Sequence, residues 1–407
     1  MRERTTSNLA PERVRWNFRV DVAAAIFGAA MFGFVVPFMP IVIRRMGGSE
    51  IEVSLVIAGA FFGHLLSPLG AYVLARLPLV PAVVVAPTAG RALFAIGALA
   101  ATTPLTLALP YVGCWILTLA NIAAYTALMQ RIYPDEVRAT AMGRVRIGAN
   151  AATLVAAFAG GAVLQVTNDP ARVFAVAGLI SVGGSVLFLA IRHDEPMARP
   201  RPASPLRLLP MAWRDTTFRR FLVASTVFGF ANLTAATLYP LLFVDRFDAP
   251  NAFVGLYTAT SAAATMAGYW FWGRRIDRGS SVRLALANTT LLLAVPALFL
   301  VAPSIWVLLV AAAINGFNFA GGDLTFVTNV LQLAPRGKVA DYMAAQSFTL
   351  GVRGAIAPFV ASGLLFVTNA SLVLTIAIAF MALGALLHRE VVARVEAREA
   401  IAPVPAA

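Results

Sequence analysis

Charge is what this chain has least of. Only 13% of its 407 residues are Asp, Glu, Lys or Arg, against roughly 25% in a soluble domain. Hydrophobic residues make up 59%, and the mean hydropathy is +0.79. This excludes an ordinary soluble globule and places the chain among polytopic membrane proteins. Cysteine is nearly absent. Cys114 stands alone inside an apolar run, so an internal disulfide is excluded, and no metal-ligand cluster surrounds it. The three histidines are His64, His193 and His388. No HExxH motif or acid–histidine set accompanies them, which argues against a membrane-embedded enzyme and against a bound metal or other cofactor. A GxxxxGK[ST] loop is also missing, since APRGKVAD at 334–341 is not one. ATP hydrolysis by that route is excluded.

Long apolar runs are what the chain has in their place. About 20 apolar residues span a bilayer. By that measure twelve spans are expected near 17–43, 52–75, 81–102, 105–130, 145–166, 172–191, 218–244, 252–273, 283–302, 304–332, 342–367 and 369–388. The N-terminus is basic, and its first apolar run is too long for a signal-peptide core. A polar, Pro- and Arg-rich stretch from 192 to 220 divides the spans into two sets of six. The expected organisation is a tail at 1–16, a six-helix bundle at 17–192, a linker at 193–217, a second bundle at 218–390 and a tail at 391–407. The net charge of +13 does not form a nucleic-acid-binding patch, because the arginines recur in bursts between apolar runs. With the N-terminus in the cytoplasm, only Arg44, Arg45, Arg172 and Arg246 fall on the far side. That asymmetry predicts a multi-pass inner-membrane protein with both termini cytoplasmic.

The halves repeat at an offset of about 200 residues. Phe27-Gly28 aligns with Phe228-Gly229, Pro40 with Pro240, Gly70 and Arg76 with Gly273 and Arg278, and Pro134 and Met142 with Pro335 and Met343. Two parallel six-helix repeats predict a pseudo-two-fold axis along the membrane normal, with a substrate path between them. Gly273-Arg-Arg-Ile-Asp277-Arg278-Gly279 then carries a family signature. It resembles the loop motif of the major facilitator superfamily, a glycine, three residues, Asp-Arg, then glycine and basic residues, with the second glycine one residue early. The first-half copy, Gly70 to Arg76, lacks the aspartate. Pro37 and Pro40 look like the paired prolines of some efflux branches, and they are equally read as a kink. Ala156 to Gly161 keeps a double glycine of the antiporter signature without its Gly-Pro, and helix 4 lacks the arginine common in proton-coupled antiporters of the family. The resemblance implies an all-α fold of twelve transmembrane helices in two pseudo-symmetric bundles. It also implies that helices 1, 4, 7 and 10 line a cavity, and that Gly273, Asp277 and Arg278 form a cytoplasmic gate loop.

Ionisable residues at membrane depth are functional candidates by default. Asp21, His64, Arg91, Asp323 and Arg353 qualify. On helix 10, Asn315, Asn318 and Asn329 share one face, and Asp323 sits about 100° from its centre. Tyr342, Gln346, Thr349 and Arg353 form a stripe on helix 11. Depths of roughly 13 Å for Asp323 and roughly 17 Å for Arg353 make an ion pair plausible, either as structural glue or as a proton switch. Arg91 is expected to bond backbone carbonyls or His64, and Asp21 to snorkel or pair with Arg19. Asn121, Tyr125, Asn232, Asn315, Asn318 and Gln346 complete the substrate and coupling candidates, with interhelical hydrogen bonding as the alternative role. The expected function is secondary transport of a small organic molecule by a monomer in the lipid bilayer. Proton-coupled efflux is favoured slightly, on the paired prolines and the scarcity of charge. An uptake symporter or facilitator is the alternative, and a non-transporting receptor or scaffold is a third reading.

Overall fold

The computed structural model describes residues 11–193, 214–276, 278–335 and 338–401. Among them the chain is helical with no strand. Twelve helices follow one another: α1 (Pro11–Arg45), α2 (Glu50–Leu74), α3 (Leu79–Ala100), α4 (Pro104–Ile132), α5 (Asp135–Thr167), α6 (Pro170–Leu187), α7 (Thr216–Asp245), α8 (Asn251–Ile276), α9 (Ser281–Val301), α10 (Leu308–Leu333), α11 (Val339–Val367) and α12 (Ala370–Ile401). Eleven are long and apolar enough to cross a membrane. The exception by composition is α8, which interleaves threonines, a serine, tyrosines and tryptophans with its alanines. This is a multi-pass membrane protein.

Polar side chains fix where helices begin. Ser49 and Glu52 form a reciprocal box at the start of α2, with the Ser49 N–H donating to Glu52 Oε2 at 2.8 Å. Asp215 Oδ1 accepts from the Thr217 and Phe218 N–H groups at the start of α7. Each of these bonds satisfies donors that a helix N-terminus leaves orphaned.

The helices form two compact units. One comprises Met1–Pro202 with Asp248–Ala262, the other Ala203–Phe247 with Ala263–Ala407. The boundary at 202/203 falls inside the expected linker, but 248–262, the start of α8, groups with the first unit. Close backbone approach explains this. A Cβ placed on Gly161 of α5 would lie 2.7 Å from the Asn251 carbonyl and 2.9 Å from Gly255 Cα. Arg45 at the end of α1 reinforces the contact by donating to the Ala249 carbonyl and to Asn251 Oδ1.

Within the first unit, α1 is not straight. A π-turn at Met31–Val35, closed by Val36 N–H to the Met31 carbonyl at 3.1 Å, precedes a break and a last segment, Met39–Arg45, that has Pro40 in its first turn. The prolines therefore mark a kink, as one of their two readings required. The end of α1 expected to be cytoplasmic is clamped to the end of α6. Asn17 Nδ2 donates to the Arg192 carbonyl at 2.9 Å, the Arg192 N–H donates to Asn17 Oδ1 at 2.9 Å, and the Trp16 indole donates to the Ala190 carbonyl at 2.8 Å. The beginning of α1 at Pro11 and the run of α12 to Ile401 extend the bundles into both expected tails. Arg220–Glu390 at 3.3 Å and Arg283–Glu396 at 2.7 Å tie the α12 extension to α7 and α9, although exposed pairs of this kind contribute at most about 1 kcal/mol each.

Candidate functional site

The first unit holds a half-open cavity of about 570 Å³. Its walls come from α1, α3, α4, α5 and α6, and they hold one acid and two bases: Asp21, Arg91 and Arg146. Each owes its place to a local feature of the chain.

Because α1 begins at Pro11, Asp21 is ten residues in, roughly 15 Å along the axis. It is 1% exposed. Its carboxylate accepts from the Tyr133 hydroxyl at 2.9 Å, with the Tyr125 hydroxyl alongside. It neither snorkels nor pairs with Arg19 as expected. A buried carboxylate requires such partners, since an unpaired charge there is costly. Tyr133 lies in the short connection after α4. Burial, and then the Asp21 carboxylate, push its phenol above the ordinary range, so it remains a proton donor to Asp21.

Asn121 sits where α4 breaks between its segments Pro104–Leu119 and Ile122–Ile132. Its amide donates to the Val83 carbonyl of α3 at 2.8 Å, which braces the break, and its side chain also lines the cavity with Tyr125. Arg91 donates from Nη1 to the Ser181 carbonyl at 2.7 Å and to Ser185 Oγ at 2.5 Å. A carbonyl partner was expected; His64 is not the partner. Arg146, at the edge of the expected fifth span, stands three turns inside α5, which starts ten residues before the expected position.

The second unit arranges its candidates differently. Asp323 accepts from the Tyr269 hydroxyl of α8 at 3.0 Å. Arg353 donates from Nη1 to the Ser225 carbonyl of α7 and lies across Gly229. The expected Asp323–Arg353 partnership is replaced by these two contacts, because α10 packs against α9 and, at Phe317 and Ala320, closely against Gly268 of α8, and only slightly against α11. The asparagine face of α10 meets α9. Asn318 Nδ2 donates to the Asn288 carbonyl at 2.6 Å, Asn288 Nδ2 donates to the Asn318 carbonyl at 3.0 Å, and Ser281 Oγ donates to Asn329 Oδ1 at 2.6 Å. Asn318 is thus an interhelical clasp, and the alternative role weighed for it is the one its contacts match. Asn315 and Asn232 are half-buried and make no side-chain hydrogen bond among the described residues. Gln346 is buried, with Oε1 unpartnered. Gly273 lies within α8 with open space where a Cβ would go, so close approach is not its role. Arg278 is exposed just beyond α8, and Asp277 lies outside the described residues.

One test separates clasp from ligand. Asn318→Ala is expected to lower stability by about 1–2 kcal/mol, through loss of a buried hydrogen bond and the unpaired Asn288 carbonyl left behind. Substrate affinity stays unchanged. Thermal unfolding of the purified protein, read beside the transport KM, checks this.

Sequence reasoning missed Arg146 and Ser185 as cavity residues, Tyr133 as the partner of Asp21 and Tyr269 as the partner of Asp323. A signal for Arg146 was present. Pro134 is a helix-start marker, and starting α5 there puts Arg146 three turns inside the helix and not at its edge.

An all-helical membrane chain of two compact units, with a cavity in one of them whose mostly apolar wall carries an acid and two arginines, has the build of a membrane transporter. The chain belongs to the Major Facilitator Superfamily, whose family model matches residues 22–358, and it is a transporter of that family. The nucleoside transporter NupG superposes with a TM-score of 0.74 at 11% identity, over 92% of this chain and 99% of that one. A bacterial homolog of the human lysosomal transporter Spinster, in an inward-facing and occupied conformation, gives 0.71 at 15% identity, over 98% and 100%. The human organic anion transporter MFSD10 gives 0.63 at 16%, over 93% and 100%. At these identities the likeness speaks for the fold alone. No curated protein sequence matches the chain.

Proposed function

We propose that this transporter acts as a monomer in the inner membrane, moves a small organic molecule by alternating access, and couples that movement to protons through Asp21. The observation that carries the reading is a carboxylate 1% exposed at the wall of the first unit's cavity and held by a tyrosine hydroxyl. A carboxylate so placed binds a proton with little reorganisation, and the affinity for that proton responds to whatever charge enters beside it.

Direction follows from the sign of that response. Export against an inward proton gradient requires proton and substrate to compete for the protein; uptake by co-transport requires them to bind together. Pro37 and Pro40 lean towards export. The cavity leans the other way, since two arginines outnumber one acid and protonation of Asp21 increases the positive excess. The charges act at the site itself, so co-transport is the reading we favour. Asp323 is the second acid, and its bond to Tyr269 parallels that of Asp21 to Tyr133.

The test is uptake into proteoliposomes under an imposed pH gradient of either polarity. Accumulation on the side protons flow towards supports co-transport. Accumulation on the opposite side reverses the direction, and accumulation indifferent to the gradient removes the coupling. In the same assay Asp323→Asn is expected to keep gradient-driven accumulation within a few-fold of wild type, the size of one lost hydrogen bond.

A further inference from the structure

The charges that line the cavity also bear on what enters it. We infer that Arg91 and Arg146 form the binding site for a small organic monoanion, with a carboxylate or similar oxyanion at one end and an apolar body at the other. The inference deepens the functional reading above and rests on it for the claim that the cavity is the transport site.

Arg91 is built to present its guanidinium. The two hydrogens of Nη1 go to the Ser181 carbonyl and Ser185 Oγ on α6, which fixes the plane of the group. Nη2 and Nε make no hydrogen bond among the described residues, and Nη2 lies 3.9 Å from where a Cβ on Gly28 would stand. One edge of the fork is therefore anchored to α6, and another nitrogen points towards the α1 wall, which is a glycine at that level. A planar guanidinium held by one edge is suited to receive a carboxylate on another. Arg146 enters the same cavity from α5.

The neighbours of Asp21 decide how ligand and proton influence each other. An anion that enters beside Asp21 repels its carboxylate and so favours the protonated form. The groups that share the cavity with Asp21 are Tyr125 from α4, Arg91 from α3 and Arg146 from α5, with Tyr133 bonded to it from beyond α4; α6 and the turn after it contribute the neutral Ser185 and Phe188. None of the others supplies a second acid. Anion binding and Asp21 protonation therefore favour each other, as co-transport requires, whereas a cation would compete with the proton and meet two arginines. The remaining wall is apolar. Ala25, Phe32, Pro87, Leu119 and Phe188 surround the polar groups, and a volume of about 570 Å³ is within the range of small-molecule sites.

The test is equilibrium binding to purified full-length protein with isosteric probes: benzoate, benzamide and benzylamine, then hexanoate and hexanamide. Ligand-induced thermal stabilisation and calorimetry provide the readout. Benzoate or hexanoate is expected to bind at least tenfold more tightly than its amide, and benzylamine not to bind. Arg91→Gln and Arg146→Gln are each expected to weaken the carboxylate by roughly tenfold, the scale of one charge-assisted bond, with the amide unaffected. Arg91→Lys retains the charge and covers the case in which Arg91→Gln fails to fold; it is expected to restore part of the affinity. Equal binding of amide and carboxylate, preference for the amine, or full carboxylate affinity in both folded Gln variants would overturn the assignment. No gradient is imposed, so the result is independent of coupling. Carboxylate selectivity together with normal gradient-driven transport in Asp21→Asn would leave the substrate class standing and remove the coupling reading.

Discussion

Asp21→Asn is expected to abolish gradient-driven accumulation while leaving counterflow intact. Asparagine keeps the shape of the side chain and can still meet the Tyr133 hydroxyl, so the wall of the cavity is preserved. What disappears is the ability to gain and lose a proton. Substrate and proton then no longer influence each other, and a coupling free energy of about 1–3 kcal/mol, or 5–150-fold in binding affinity, is lost. Exchange of labelled for unlabelled substrate at equal pH needs binding and conformational exchange but no net proton movement, and it should persist at a comparable rate. Because asparagine is neutral, like the protonated acid, anion affinity in this variant should stay high and cease to vary with pH over the range in which wild type responds. Loss of counterflow along with accumulation would indicate a damaged cavity, and retained accumulation would remove Asp21 from the mechanism. Tyr133→Phe removes one hydrogen bond to the carboxylate and is expected to shift the pH dependence without abolishing coupling.

The second large effect is steric. Gly161→Leu is expected to reduce transport at least tenfold, since a Cβ there already lies 2.7 Å from the Asn251 carbonyl and 2.9 Å from Gly255 Cα. These distances leave no room for a branched side chain, and overpacking of this kind costs about 1–3 kcal/mol where the structure yields. The contact joins α5 to the first turns of α8, and Arg45 secures the same place through the Ala249 carbonyl. Because α5 also carries Arg146, Ala149 and Thr153 into the cavity wall, forcing the contact apart is expected to disturb the site as well as the packing. Gly161→Ala should show the same effect in smaller measure. Gly273→Ala, where a Cβ meets open space, should transport like wild type. Melting temperatures of the three variants separate failure to fold from displacement of α5, and wild-type transport in a well-folded Gly161→Leu would contradict the account.

Much of this architecture is written in local sequence. Apolar runs and arginine bursts locate the twelve helices, and Pro37 and Pro40 mark where α1 bends. The angular offset of Asp323 from the asparagine face is also legible, because it depends only on helix periodicity. Its partner is not. Whether α10 leans on α8, α9 or α11 is decided by packing across the bundle, and adjacency in sequence pointed to α11 while the Tyr269 hydroxyl comes from α8. The same limit hid the role of the asparagine face. A polar stripe signals only that lipid is excluded, and here the excluding neighbour is α9, through Asn288 and Ser281. The cavity of the first unit was hidden by a boundary. Hydropathy starts α5 where the apolar residues start, whereas the backbone starts it at Asp135, and the added turns move Arg146 from the edge of the expected span to three turns inside the helix. The low overall charge then concealed that the few charges present gather around one space.

The most direct measurement is the proton signal that accompanies substrate entry. Wild-type proteoliposomes containing a pH-sensitive dye, with no initial gradient, would receive an external carboxylate identified by the binding series, beside protein-free vesicles that report passive entry of the acid. Co-transport through Asp21 predicts that the interior acidifies beyond the protein-free control and that Asp21→Asn abolishes the excess. Alkalinisation of the interior, or protein-dependent uptake with no proton signal, would contradict it.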